Sequence, residues 1–340
     1  MNIVCHIDKK DTFEIKEQAT SIVFFDSNSF SYTFWDNRNK LPYWYSQQSL
    51  DLLYISLSVF AADRLCLRND AVDGWSRELT IYIPVLEYAL WEKAKSTLEE
   101  MLGFLSGDKW SFVFRKREHT KIEKVKHDRW EKSKQQAKDY DQLCMFSGGL
   151  DSFIGAIDLL ESENKKTLFV SHYGGGKGTK EFQDILKEKF IERYSLELRD
   201  FHQYYAKVVS GVEDTTRTRS FMFFSHAIAV ASCLKKSVDL IIPENGFISL
   251  NIPSTFSRMG TSSTRTTHPH YMALFQKLLE LIEIPVRLVN PYQFKTKGEM
   301  LMECRNQIFV RNNLENTMSC SHPDIGRMKK ETEARHCGYC

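Results

Sequence analysis

The chain has no run of eighteen apolar residues, and its amino-terminal MNIVCHIDKKDTFEIKE lacks the apolar core of a secretion signal. A membrane-spanning helix is therefore not expected, and a cytoplasmic location is. An excess of one charge is also missing. Lys and Arg number 46 against 44 Asp and Glu, so the net charge of +2 argues for no particular partner. Internal repeats and low-complexity tracts are absent. The eight cysteines are too few and too scattered for a disulfide scaffold and are expected to be reduced. Five of them, Cys5, Cys66, Cys144, Cys233 and Cys304, read as small core residues among apolar neighbours. What remains is a 42% hydrophobic chain of 340 residues, long enough for two domains with a core each.

The pattern changes after residue 115. The segments SIVFFDSNSFSYTFW, ELTIYIPV and WSFVFRK look like strands, and SLDLLYISLSVFAADRL and VLEYALWEKAKSTLEEMLGFL look like helices with apolar residues three and four apart. Residues 1–137 are therefore expected to form an α+β module that presents a partner or substrate. From Arg115 to Lys138 the chain carries ten Lys or Arg against four Asp or Glu, which reads as a solvated helix or linker. Contact of this segment with nucleic acid is the less favoured reading. Residues 138–340 then repeat strand, turn and helix: LCMF and SFIGAIDLLES, TLFVSHY and KEFQDILKEKF, SFMFFSHAIAVASCL and DLIIPE. This order predicts an α/β domain, a parallel sheet with helices on both faces.

The junction of the first such pair carries the chemistry. Leu143 to Phe146 reads as a buried strand, and Phe153 starts the apolar stripe of a helix. Between them Gly148 and Gly149 allow a sharp turn and close approach of backbone to a ligand. The free N–H groups at the helix start favour an anion. Ser147 and Ser152 add hydroxyl donors, and Asp151 is expected to cap the helix or meet a magnesium ion that also meets phosphates. The lysine of a Walker loop is missing, which argues against kinase or motor chemistry.

The six residues SGGLDS, Ser147, Gly148, Gly149, Leu150, Asp151 and Ser152, resemble the signature of the PP-loop ATP pyrophosphatases, the adenine nucleotide alpha hydrolase-like fold. That resemblance implies a loop gripping the β and γ phosphates of ATP while a substrate oxygen attacks the α phosphate. HYGGGKGTKE, with His172, Tyr173 and Gly174, is similar to the Y-G-Q turn of the 7-cyano-7-deazaguanine synthases (QueC), Gly175 replacing Gln. Lys177 and Lys180 in it are read as approaching phosphate or as a solvated loop. TRTRSFMFFSHAIAVAS resembles the P-x-R-N segment of the same family, Arg219 matching its arginine and Ser220 replacing asparagine. A guanidinium at a helix start can bind phosphate bidentately; otherwise Arg219 is a surface ion-pair residue. TKGEML resembles the T-K-x-E element, with Lys297 and Glu299, or is a capped surface helix.

Cys320 and the terminal HCGYC, with Cys337 and Cys340, resemble the synthases' structural zinc site. Its fourth cysteine would fall beyond Cys340. Either the polypeptide is a fragment, His322 or His336 completes the site, or no metal binds stably. The stretch ENGFISLNIPSTFSRMGTSSTRTTHPHY is longer than the family's base-recognition segment, so those residues do not carry over. With the added front module it resembles the QueC-like proteins of anti-phage operons, implying a defence role and operon proteins as partners. The resemblance as a whole implies ATP, magnesium and zinc as cofactors, and adenylation of a deazaguanine-type carboxylate with transfer to ammonia or to a protein amine. An RNA-modifying PP-loop enzyme and a non-catalytic nucleotide-binding scaffold stand as alternatives.

Overall fold

A computed structural model describes all residues except 25, 27–29, 134–137, 163–164, 175–176, 216, 252–264 and 320–340. In chain order its first elements are β1 (Asn2–His6), β2 (Ala19–Val23), β3 (Phe30–Tyr32), α1 (Gln47–Leu65), β4 (Glu78–Val85), α2 (Tyr88–Ser106), β5 (Lys109–Lys116) and α3 (Lys121–Ser133). There follow β6 (Gln142–Met145), α4 (Leu150–Ser162), β7 (Thr167–Tyr173), α5 (Lys177–Tyr194), β8 (Phe201–Val208), α6 (Arg219–Ser232) and β9 (Val238–Ile241). The last are α7 (Gly246–Leu250), α8 (Pro269–Leu281), β10 (Val286–Val289), α9 (Lys297–Glu303) and α10 (Gln307–Asn313). No helix among the described residues is long and apolar enough to cross a membrane.

The described residues form two compact units. One gathers Met1–Lys138, Lys207–Ser237 and Leu250–Arg287; the other gathers Asp139–Ala206, Val238–Ser249 and the chain from Leu288. Helix α6 lies in the first unit, whereas its sequence position suggested a layer of the α/β domain.

In the first unit four strands run in the order β2-β1-β4-β5, and every pairing is parallel. The module expected to be α+β is thus α/β in kind. Strand β5 alternates buried Trp110, Phe112 and Phe114 with open positions, which is the signature of a half-solvated antiparallel strand. Direction is set instead by connections long enough to cross over, such as α2 between β4 and β5. Helix α1 is buried on all sides from Ser49 to Asp63, and the hydroxyls of Ser56 and Ser58 donate to the carbonyls of Leu53 and Tyr54. Asp51 in it accepts from the N–H groups of Leu86 and Glu87 and from the Trp91 indole, pinning the turn into α2. A closed ionic network fills the interior. Arg77, 0% exposed, donates to Asp63 at 2.5 Å and Asp108 at 2.7 Å, while Arg68 donates to Asp108 at 2.9 Å.

The basic segment folds in part as α3 and is held down by ion pairs. Arg115 pairs with Asp11 at 2.9 Å, and Arg117 with Glu123 at 2.8 Å. These two guanidiniums are engaged within the protein.

In the second unit strands run in the order β10-β9-β6-β7-β8, with β6 parallel to β7 and β9, and β7 parallel to β8. The chain proceeds outward from β6 through β7 to β8, then returns to place β9 on the other side of β6. The strand order therefore reverses at the β6/β9 boundary, and beyond the carboxyl ends of these two strands lies the crevice where open α/β sheets bind ligands. Phe146, Phe153, Phe169, Phe190 and Phe201 form the core beneath it. The five scattered cysteines are all buried and free.

Candidate functional site

The turn from β6 into α4 occupies that crevice. Gly148 has φ +86°, a conformation natural to glycine, and a Cβ there would meet Gln183 Cγ at 3.0 Å. Gln183, buried in α5, donates its amide to the carbonyls of Ser147 at 2.9 Å and His172 at 3.0 Å, and so clamps this turn to the end of β7. Ser147 donates to Ser152 Oγ at 3.1 Å, and Ser152 to the Gly149 carbonyl at 2.9 Å. The Gly149 N–H donates to Ser147 Oγ. The N–H groups of Asp151 and Ser152 fall in the first turn of α4, where helix geometry offers no acceptor.

Asp151 is the centre of the site and is 6% exposed. Its Oδ2 accepts from the side chain of Asn245 at 2.6 Å and from the Asn245 N–H at 3.1 Å. Lys297 Nζ stands 3.0 Å from Oδ1 as an ion pair lacking hydrogen-bond geometry, so Oδ1 is buried but accepts no hydrogen bond. The Glu244 carboxyl lies close enough to Asp151 to feel its charge. Burial first, then the Asp151 charge, push its pKa up to about 8, against the pull of Lys297. Glu244 accordingly favours its protonated form at neutral pH. Two close approaches build this arrangement. A Cβ on Gly155 would stand 2.4 Å from Pro243 Cβ, and one on Gly246 would stand 2.3 Å from the Gln293 carbonyl oxygen.

The expected residues thus divide. Ser147, Gly148, Gly149, Leu150, Asp151, Ser152 and Lys297 come together. His172 reaches the site through its carbonyl, while Tyr173 packs on Tyr205 with ring centres 5.4 Å apart. Gly174 has no steric need to be glycine, since an added Cβ meets nothing. Lys180 is engaged by Asp184, which raises its pKa. Glu299 makes a capping box with Thr296, so the T-K-x-E element caps α9 while its lysine faces Asp151. Arg219 starts α6 in the first unit, half-buried, without an ion pair among the described residues and with its pKa lowered by burial. The side chain of Lys177 and residues Cys320, Cys337 and Cys340 lie outside the described residues.

Sequence reasoning missed Glu244, Asn245, Gln183 and Ser319. For the first two a signal existed: PENG follows the apolar DLII of β9, and the residues just past a strand beside the glycine loop are where a reversed strand order places ligands. Compared with protein-family models, curated proteins and solved structures, the chain matches none.

Proposed function

We propose that the chain is an ATP-dependent enzyme of the PP-loop type that adenylates a carboxylate and passes the acyl group to an amine. The observation that carries this reading is the glycine turn at the reversal of strand order, with buried Asp151 held between Asn245 and Lys297 beside it. A carboxylate oxygen of the substrate attacks the α phosphorus, and the bond from that phosphorus to the bridging oxygen breaks. Pyrophosphate departs with the electron pair. The amine then attacks the acyl carbon, loses a proton, and AMP leaves. The helix start of α4 and the Lys297 ammonium would face the charge that builds on pyrophosphate, while the Ser147 and Ser152 hydroxyls, bonded to one another and to the Gly149 carbonyl, hold the turn in shape; fixed dipoles of this kind are worth most in a site shielded from water.

Magnesium fits the residues present. Asp151 Oδ1 is buried without a hydrogen bond, and Asp151, with Glu244 once it has lost its proton, would offer the hard oxygen donors that hold the ion. When bound it would neutralise phosphate charge. No step is assigned to zinc, since the three cysteines are outside the described residues. By the resemblance of SGGLDS and the segments after it, the carboxylate is of the 7-carboxy-7-deazaguanine type. The amine is ammonia or one on a partner protein, and the setting is cytoplasmic anti-phage defence.

The test is pyrophosphate release from ATP, magnesium and the deazaguanine acid, with intact-mass analysis of candidate partners. Asp151→Asn should keep the fold, because the amide oxygen can still accept from Asn245. Release should drop by at least about a hundredfold. Unchanged turnover would sink the assignment.

A further inference from the structure

We propose that Ser319 is a phosphate-binding residue of this nucleotide site, an inference that rests on the reading above. After α10 the chain returns to the glycine turn. Thr317 and Met318 are buried, and the Met318 N–H donates to the Gly148 carbonyl at 2.8 Å. Ser319, next along and exposed, accepts at Oγ from the Leu150 N–H at 3.2 Å. A Cβ on Gly149 would stand 3.3 Å from that same oxygen. Glycine at 149 thus leaves room for the hydroxyl as well as for a ligand.

The direction of this bond decides its use. Leu150 is the first residue of α4, so its N–H carries part of the positive end of the helix. Because Oγ receives that N–H, the hydroxyl proton must point elsewhere. A hydroxyl that accepts from a helix-start amide is polarised into a better donor. The helix potential is thereby carried one bond outward to an oxygen at the mouth of the turn. Met318 contributes by tying down the Gly148 carbonyl, an oxygen that would repel an anion if left free. Ser319 thus adds to the turn a hydroxyl that the sequence signature does not contain, whereas the Ser147 proton is already given to Ser152. The group recognised is a polyphosphate oxygen, which could belong to ATP or to released pyrophosphate.

The purely architectural reading holds that Ser319 merely occupies the Leu150 N–H as a water would. Titration of the full chain with ATP and separately with inorganic tripolyphosphate, both with magnesium, separates the two. Ser319→Ala should weaken both ligands by roughly ten- to a hundredfold, the usual worth of a hydrogen bond to a charged group, with the melting temperature unmoved. Ser319→Thr, which keeps the hydroxyl, should restore binding. Unchanged or tighter binding by Ser319→Ala, with the wild type binding well, overturns this inference alone. Weakened binding without pyrophosphate release under any substrate mixture leaves it standing and removes the proposed reaction. A wild type that binds neither ligand overturns both.

Discussion

Gly155→Ala sets two effects of opposite sign against each other. In the middle of a helix, replacing glycine by alanine normally stabilises by about 1 kcal/mol. Here the added methyl would lie 2.4 Å from Pro243 Cβ and 2.5 Å from its Cγ, about 1 Å inside the closest comfortable carbon contact. Neither atom ends a flexible side chain. Helix α4 or the segment after β9 must shift, and overpacking of this kind costs about 1–3 kcal/mol. The shift also separates Asp151, one turn before Gly155, from Asn245, two residues past Pro243, straining a 2.6 Å bond that is worth about 1.5–3 kcal/mol because its acceptor is charged. Clash should defeat propensity, giving a net loss of about 2 kcal/mol in urea unfolding at an unchanged slope. Pro243→Gly removes the opposing ring, so Gly155→Ala made in that background should lose most of its cost. Turnover of Gly155→Ala, where measurable, should fall about a hundredfold for a displacement near 1 Å. A stabilised Gly155→Ala, or a cost that survives Pro243→Gly, would refute the packing argument.

Arg77→Met should cost about 3–5 kcal/mol in urea unfolding, because it leaves Asp63 and Asp108 buried with Arg68 as their remaining guanidinium; a loss below about 1 kcal/mol would show that the network relaxes freely. His226 is fully buried in α6, and burial lowers its pKa to about 4 from the usual 6.5. The folded state therefore resists protonation. Its contribution is complete above pH 6.5 and is lost as pH falls from there through 4, in all about 3 kcal/mol. Asp51, whose pKa burial raises to about 6, acts in the opposite direction below pH 6, so the wild-type curve alone does not isolate the histidine. His226→Gln does: its stability deficit relative to wild type should shrink by about 3 kcal/mol between pH 7 and pH 4, and a deficit independent of pH would contradict the assignment.

Local features were legible and long-range ones were not. Strand β6, the glycine turn and α4 were readable because periodicity and glycine act within a few residues. The capping box at Thr296 was readable for the same reason. The parallel direction of the first sheet was hidden, because β1 and β2 join without a helix between them and β5 alternates like a half-solvated antiparallel strand. The place of α6 was hidden too. Its partner is α1, against which Ser232 meets Ser49 at 2.8 Å across 183 residues of chain. In the site, Asn245 reaches Asp151 from 94 residues away. Only the reversal of strand order brings the two together, and no local pattern encodes it.

Two of the charge clusters among the described residues differ in a way that bears on ligand binding. Around Arg77 two guanidiniums face two carboxylates, and Arg77 and Asp108 are joined by several short hydrogen bonds. Such a network is complete and asks for no ligand. Around Asp151 two carboxyl groups face one ammonium, one carboxyl keeps its proton near neutrality, and one buried oxygen accepts no hydrogen bond. A protein that needed only stability would gain by replacing Glu244 with an apolar residue. The imbalance is what the magnesium and polyphosphate proposed above would resolve: a cation would meet the one unsatisfied oxygen, Asp151 Oδ1, and the helix start and Lys297 would face the phosphates.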